Sequence, residues 1–98
     1  MKIEFTESAI LDLEDIKSYY LEQQVPHIGD KFISDIINHI ETLPSNPEIG
    51  RLVPEFQMPH IKEIIHSPFR VVYTLNDTSI QIIRVWRSER LMKSLEEN

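Results

Sequence analysis

Arginine is the residue type in this chain best placed to do chemistry. Arg84, Arg87 and Arg90 cluster at the end of an apolar run from Ile80 to Trp86, and Arg70 interrupts the preceding apolar run, Phe69 to Leu75. A guanidinium is a planar fork that stays charged at any accessible pH. On a strand, where side-chain directions are fixed, it presents a rigid bidentate site to phosphate or carboxylate. His60 and His66, just before these runs, are the nearby groups able to carry a proton, since an unperturbed imidazole titrates near ~6.5. Anion recognition is therefore the chemistry to look for, with proton transfer a second option.

The two runs are β-branched and aromatic, and Asn76, Asp77, Thr78 and Ser79 between them have turn chemistry, so they read as a hairpin. A two-residue or a four-residue loop places Leu75 opposite Ile80. Tyr73 then faces Ile82, Val71 faces Arg84 and Phe69 faces Trp86. This more aromatic surface should meet the rest of the fold, with Arg84 at its margin and Trp86 and Tyr73 in or near the core. On the other surface Val72 pairs with Ile83 and Arg70 with Val85, and Arg87 lies diagonal to Arg70. Arg70 and Arg87 are thus expected to point outward together.

Elements that could position the hairpin precede it. Ile3 and Phe5 alternate with Lys2 and Glu4 as a short strand, and Thr6 can cap a helix with Glu7 in its first turn. Ile10, Leu13, Ile16, Tyr20 and Leu21 give that helix an apolar stripe, while Asp12, Glu14, Asp15 and Glu22 read most simply as its solvated face. Residues 23–27 form a break containing Pro26. Ile28, Phe32, Ile33, Ile36, Ile37, Ile40 and Leu43 then make the strongest helical pattern, ended by Pro44 and Pro47. Two helices so closely joined should pack antiparallel and need a further layer, which the β segments must supply. Residues 45–56 read as a surface loop with a short edge pairing near Leu52 and Val53, and Ile61 to His66 as a strand.

At 98 residues the chain is expected to be a single domain, residues 1–98. It has no cysteine, so disulfides, thiolate metal sites and a cysteine nucleophile are excluded, and the expected home is a reducing cytosol. No apolar run approaches the ~18 residues of a membrane span. The four histidines show no ligand spacing, so no metal or other cofactor is expected. The net charge is −6, but residues 1–50 hold three lysines against ten acids and residues 51–98 hold seven Lys and Arg against six. An acidic first half and a weakly basic second half disfavour general nucleic-acid binding and leave room for a local arginine site.

The chain also resembles the ParE/RelE superfamily of bacterial toxins. Glu55 to His66 looks like the proline-rich loop and first sheet strand of that superfamily. Phe69-Arg70-Val71-Val72-Tyr73 looks like its tyrosine-arginine-aliphatic-aliphatic-tyrosine strand, and Ile80 to Arg90 like its arginine-terminated last strand. The resemblance implies an α+β fold of order β-α-α-β-β-β, with a helical hairpin on one face of a small antiparallel sheet. It also implies a growth-inhibiting toxin of a type II system, neutralised by a cognate antitoxin protein.

Two activities occur in the superfamily. RelE-like members cut messenger RNA on the ribosome, and ParE-like members inhibit DNA gyrase by binding it. Here Arg87 stands where many relatives have a histidine, and an arginine is a poor general base. Lys62 is the sole lysine between Lys31 and Lys93, so a lysine-rich catalytic loop is missing. An acidic chain would also be repelled within the ribosome. The favoured expectation is a ParE-type toxin that contacts its target through Arg70, Arg87 and Arg90, with Arg51 in addition and Arg84 as a supporting charge. In the alternative, a ribonuclease, Arg70 and Arg87 would clamp the phosphate and His66 or His60 would move the proton. A third reading is a non-toxic interaction module of the same fold. The plainer reading of the arginines is solvated charge paired with Glu55, Glu63 or Glu89. Asp12, Asp15, Tyr19, Tyr20, Glu22 and Ile28 on the helices are the expected antitoxin contacts, the acids calling for a partner segment with Lys or Arg.

Overall fold

In a computed structural model, which describes residues 1–87, Thr6 does more than cap a helix. Its hydroxyl accepts from the Ala9 amide at 3.0 Å, as an N-cap should, and donates to the Ile83 carbonyl at 2.8 Å. One side chain therefore starts the first helix and ties it to the last strand. The elements in chain order are β1 (Lys2–Phe5), α1 (Glu7–Glu22), α2 (Pro26–Ile40), β2 (Arg51–Leu52), β3 (Ile61–His66), β4 (Phe69–Leu75) and β5 (Ser79–Arg87), with a short 3-10 turn at Leu43–Ser45. This is the α+β fold the resemblance implies. The edge pairing expected near Leu52 is β2, and Pro26 opens α2 at a position where its missing N–H costs nothing.

The sheet has five strands in the order β1-β5-β4-β3-β2 and is mixed. Strand β1 runs parallel to β5, pairing Ile3 with Ile80 and Phe5 with Ile82, and the other pairings are antiparallel. The helices cover one face. Phe69, Val71 and Tyr73 of β4, Ile80, Ile82 and Val85 of β5 and Ile64 of β3 meet Ala9, Ile16, Ile36, Ile40 and Leu43 in one apolar cluster. Gly29 lets the helices approach closely, since a Cβ there would lie 2.9 Å from that of Tyr20. The expected stripe of α1 is partly wrong. Ile10 and Leu21 are exposed, and Ala9 takes the buried place, because the face set by Ile16 and Tyr20 passes through position 9 instead of 10.

The hairpin register is as expected from Leu75 opposite Ile80 to Tyr73 opposite Ile82, and then slips. A β-bulge at Ile83 puts Val72 opposite Arg84, Val71 opposite Val85, Arg70 opposite Trp86 and Phe69 opposite Arg87. The expected partners of these four residues are thus each off by one. A single extra residue reverses which face the remainder of a strand presents. Val85 enters the core, and Arg87 moves to the helix-bearing face, away from Arg70.

Candidate functional site

On the face without helices, β3 and β4 bring Glu63 and Arg70 side by side, and the loop after β2 folds over them. The Arg70 guanidinium donates from Nε to Glu63 at 2.7 Å and from Nη1 and Nη2 to the two Glu55 oxygens at 2.9 and 2.8 Å. Glu63 also accepts from Arg51 Nε at 2.7 Å. The Arg70 side chain is only 6% exposed and that of Glu63 is fully buried, whereas Arg51 is 63% exposed. Arg70 is thus held on both sides by carboxylates. Its hydrogen bonds hold the Glu55 carboxyl below the usual range, partly opposed by burial, and the same bonds push the Arg70 pKa up. Arg70 does not stand outward in solvent, because this face is covered by residues 53–56: Val53 is buried, Glu55 reaches Arg70, and the Phe56 ring lies 5.9 Å from Trp86.

Beyond Phe5, where β1 ends, the free edge of β5 is closed by α1. Asp12 accepts from the Val85 amide at 2.8 Å and from Arg84 Nε and Nη2 at 2.8 and 2.9 Å. Its side chain is 12% exposed, so it is not part of a solvated helix face, and its charge is already committed within the chain. The Asp12 bonds push the Arg84 pKa up. Arg84 also lies 5.4 Å from the Trp86 ring centre.

Arg87 has different company. Its guanidinium carbon sits 5.2 Å from the Tyr19 ring centre and 5.6 Å from that of Phe69, and Nη1 is 3.5 Å from the Tyr20 hydroxyl. Tyr20 is half-buried against Phe32, while Tyr19 is exposed, as are Asp15, Glu22 and Ile28. Arg51, Arg70 and Arg84 each have a carboxylate partner, and Arg87 has none among the described residues. Arg90 lies outside the described residues.

The histidines are also separated. His66 meets His39 of α2, Nδ1 to Nδ1 at 3.0 Å, so one ring donates and the other accepts. Burial and the neighbouring His66 lower the pKa of His39. His60 is exposed, its carbonyl accepting from the Thr74 hydroxyl at 2.8 Å. Neither His60 nor His66 has a hydrogen bond or ring contact to Arg70 or Arg87 among the described residues. No group of three or more metal-ligating side chains occurs there either.

Residues 3–92 match the family model described as the ParE toxin of the type II toxin-antitoxin system, parDE. The chain belongs to the ParE toxin family. Among solved structures, it is similar to the chromosomal ParDE system from P. aeruginosa, with TM-score 0.76 and 25% identity over 89% of this chain and 95% of that one. The YoeB dimer from Staphylococcus aureus matches with TM-score 0.61 and 20% identity, over 88% of this chain and 94% of that one. A YoeB/ParE toxin from Agrobacterium tumefaciens matches with TM-score 0.61 and 18% identity, over 89% and 98%. These last two likenesses speak to the fold alone. No curated protein matches the chain.

In this ParE chain, then, the four described arginines do not form one face. Arg51, Arg70 and Arg84 are drawn into ion pairs, and Arg87 stands apart on the helix side. His39 is the residue of these clusters that the sequence did not single out. Its place near the C-terminus of α2, next in space to the end of β3, depends on helix-to-sheet docking that no local pattern encodes.

Proposed function

We propose that this ParE chain inhibits bacterial growth by binding DNA gyrase without chemistry of its own, and that a cognate antitoxin neutralises it. The observation that carries this reading is the state of Arg70. In the RNA-cleaving alternative it must grip a scissile phosphate, yet here it is buried and occupied on both sides by Glu55 and Glu63. A phosphate would have to displace a bidentate carboxylate, and a general base would have to reach it from elsewhere. His66 is engaged with His39, and among the described residues no hydrogen bond or ring contact joins His60 to either arginine. The family match and the likeness to a ParDE system support the same choice.

The target-contacting residues proposed are accordingly Arg90 and the exposed Arg51, with Arg70 setting the shape of the surface. Asp15, Tyr19, Tyr20, Glu22 and Ile28 remain the proposed antitoxin contacts. Inducing the chain without an antitoxin tests the reading. DNA breakage with filamentation while translation continues is the expected result. Prompt arrest of protein synthesis with messenger cleavage would overturn it, and absence of any growth defect would favour a non-toxic module.

A further inference from the structure

Arg87 is the described arginine that lacks a carboxylate, and it is held ready for one. The bulge at Ile83 turns it to the helix side, opposite Phe69. There the Tyr19 and Phe69 rings flank the guanidinium at 5.2 and 5.6 Å. Contacts with the ring faces restrict the guanidinium while only Nη1 is engaged, by the Tyr20 hydroxyl at 3.5 Å, so part of the ordering entropy of forming a bidentate pair is already met. Beside it the Tyr19 ring is 46% exposed, and Leu21 and Ile28, at 61% and 38%, are exposed near the turn joining α1 to α2. A cation with no carboxylate partner among the described residues, beside an exposed tyrosine ring, defines the chemistry of what should cover it.

We propose that Arg87 and the ring of Tyr19 form a receptor for an aspartate or glutamate side chain on the antitoxin segment that covers the helices. This rests on the antitoxin reading above and deepens it, because it reverses the sign of charge required at this corner. Along α1, exposed Asp15 and Glu22 call for Lys or Arg. At Arg87 the same segment must carry an acid, flanked by apolar residues that meet Tyr19 and Ile28. The partner is therefore a segment of mixed charge whose register on the helices is fixed by one opposite-sign contact, and a slipped register would set acid against acid. Arg87 belongs on this account to the antitoxin surface and not to the target surface.

The test has two arms. In the first, glutarate is titrated into the isolated full-length protein while the arginine Nε–H resonances are followed by NMR. The Arg87 signal should shift progressively and that of Arg84 should not, and Tyr19→Ala should weaken the response about two- to fivefold. In the second arm, the chain is expressed with the antitoxin of its adjoining reading frame. Arg87→Gln should weaken the purified complex at least about tenfold and Arg87→Lys less, with thermal unfolding of each free variant as the control for folding. A silent Arg87 resonance would mean the guanidinium is already engaged and would overturn the proposal. Unchanged antitoxin affinity in a folded Arg87→Gln protein, with toxicity lost, would overturn it in favour of a target contact. If no antitoxin binds at all, it is the antitoxin reading that fails, and the glutarate arm still decides whether the receptor exists.

Discussion

Replacing Arg70 by methionine should be among the most damaging single changes to the stability of this protein, and the reason lies with Glu63. Glu63 is 1% exposed and has two cations, but Arg51 is 63% exposed and so is largely screened by water. Without Arg70 the Glu63 carboxylate stays buried with one weak partner, a situation that costs about 3–5 kcal/mol. At roughly 4–8 °C of melting temperature per kcal/mol for a domain of this size, the midpoint should fall by at least about 12 °C. Glu63→Gln should be milder, about 1–2 kcal/mol, because Arg70 keeps both oxygens of Glu55. In the Glu63→Gln, Arg70→Met double variant the fully buried charge is gone and only the partly exposed Glu55 is left unpaired, so the two losses should fail to add by about 2 kcal/mol or more. Urea unfolding followed by the fluorescence of Trp86, the sole tryptophan and within 6.0 Å of Arg70, reads these changes directly. An Arg70→Met loss under about 1 kcal/mol, typical of exposed pairs, or strictly additive losses, would refute the argument. The double variant also separates folding from toxicity, since a folded, still toxic protein would show that Arg70 shapes the surface without touching the target.

Asp12→Asn should cost about 1–3 kcal/mol, since it strips charge from a carboxylate that accepts from Arg84 and from the Val85 amide; a loss within about 0.5 kcal/mol in a urea titration would mean the β5 edge is held otherwise. Tyr73→Phe should cost about 1–2 kcal/mol, because the buried hydroxyl donates to the Pro47 carbonyl and accepts from the Gly50 amide, each at 2.9 Å. Gly50→Ala should destabilise by about 1–3 kcal/mol as its new methyl would collide with that hydroxyl, and an unchanged melting temperature would show that the loop gives way freely. The lowered pKa of His39 makes the unfolded chain the better proton binder. Its contribution is therefore fully present above about 6.5 and is lost as pH falls through the depressed folded value. The urea midpoint should drop between about pH 8 and pH 5.5, and His39→Phe should flatten that slope.

The elements were legible wherever local chemistry decides them: Thr6 as a cap, the apolar spacing of α2, the turn from Asn76 to Ser79 and its first pairings. The misreadings of the last strand have one physical source. A bulge is invisible to alternation, because Ile83, Arg84 and Val85 fit two registers equally well until the core selects Val85. That selection rests on α1, whose Thr6 bonds the Ile83 carbonyl and whose Asp12 bonds the Val85 amide. The fates of Arg87 and Asp12 follow from it. Pairing of the arginines with Glu55 and Glu63 was within reach of the sequence, but burial of Arg70 depends on how the loop after β2 lies across the sheet.

The parallel pairing of β1 with β5 has a bearing on when such a toxin can come into being. Phe5 waits for Ile82, Thr6 for Ile83 and Asp12 for Arg84, so the first strand and helix have no sheet to join until nearly all of the chain has been made. At roughly 5–20 residues per second, the delay between synthesis of Phe5 and of Ile82 is about 4–15 s. A growing chain stopped short of β5 lacks the interior strand that joins β1 to β4, and cannot complete the fold. Translation itself thus sets an interval of seconds before the first molecule of the protein is whole.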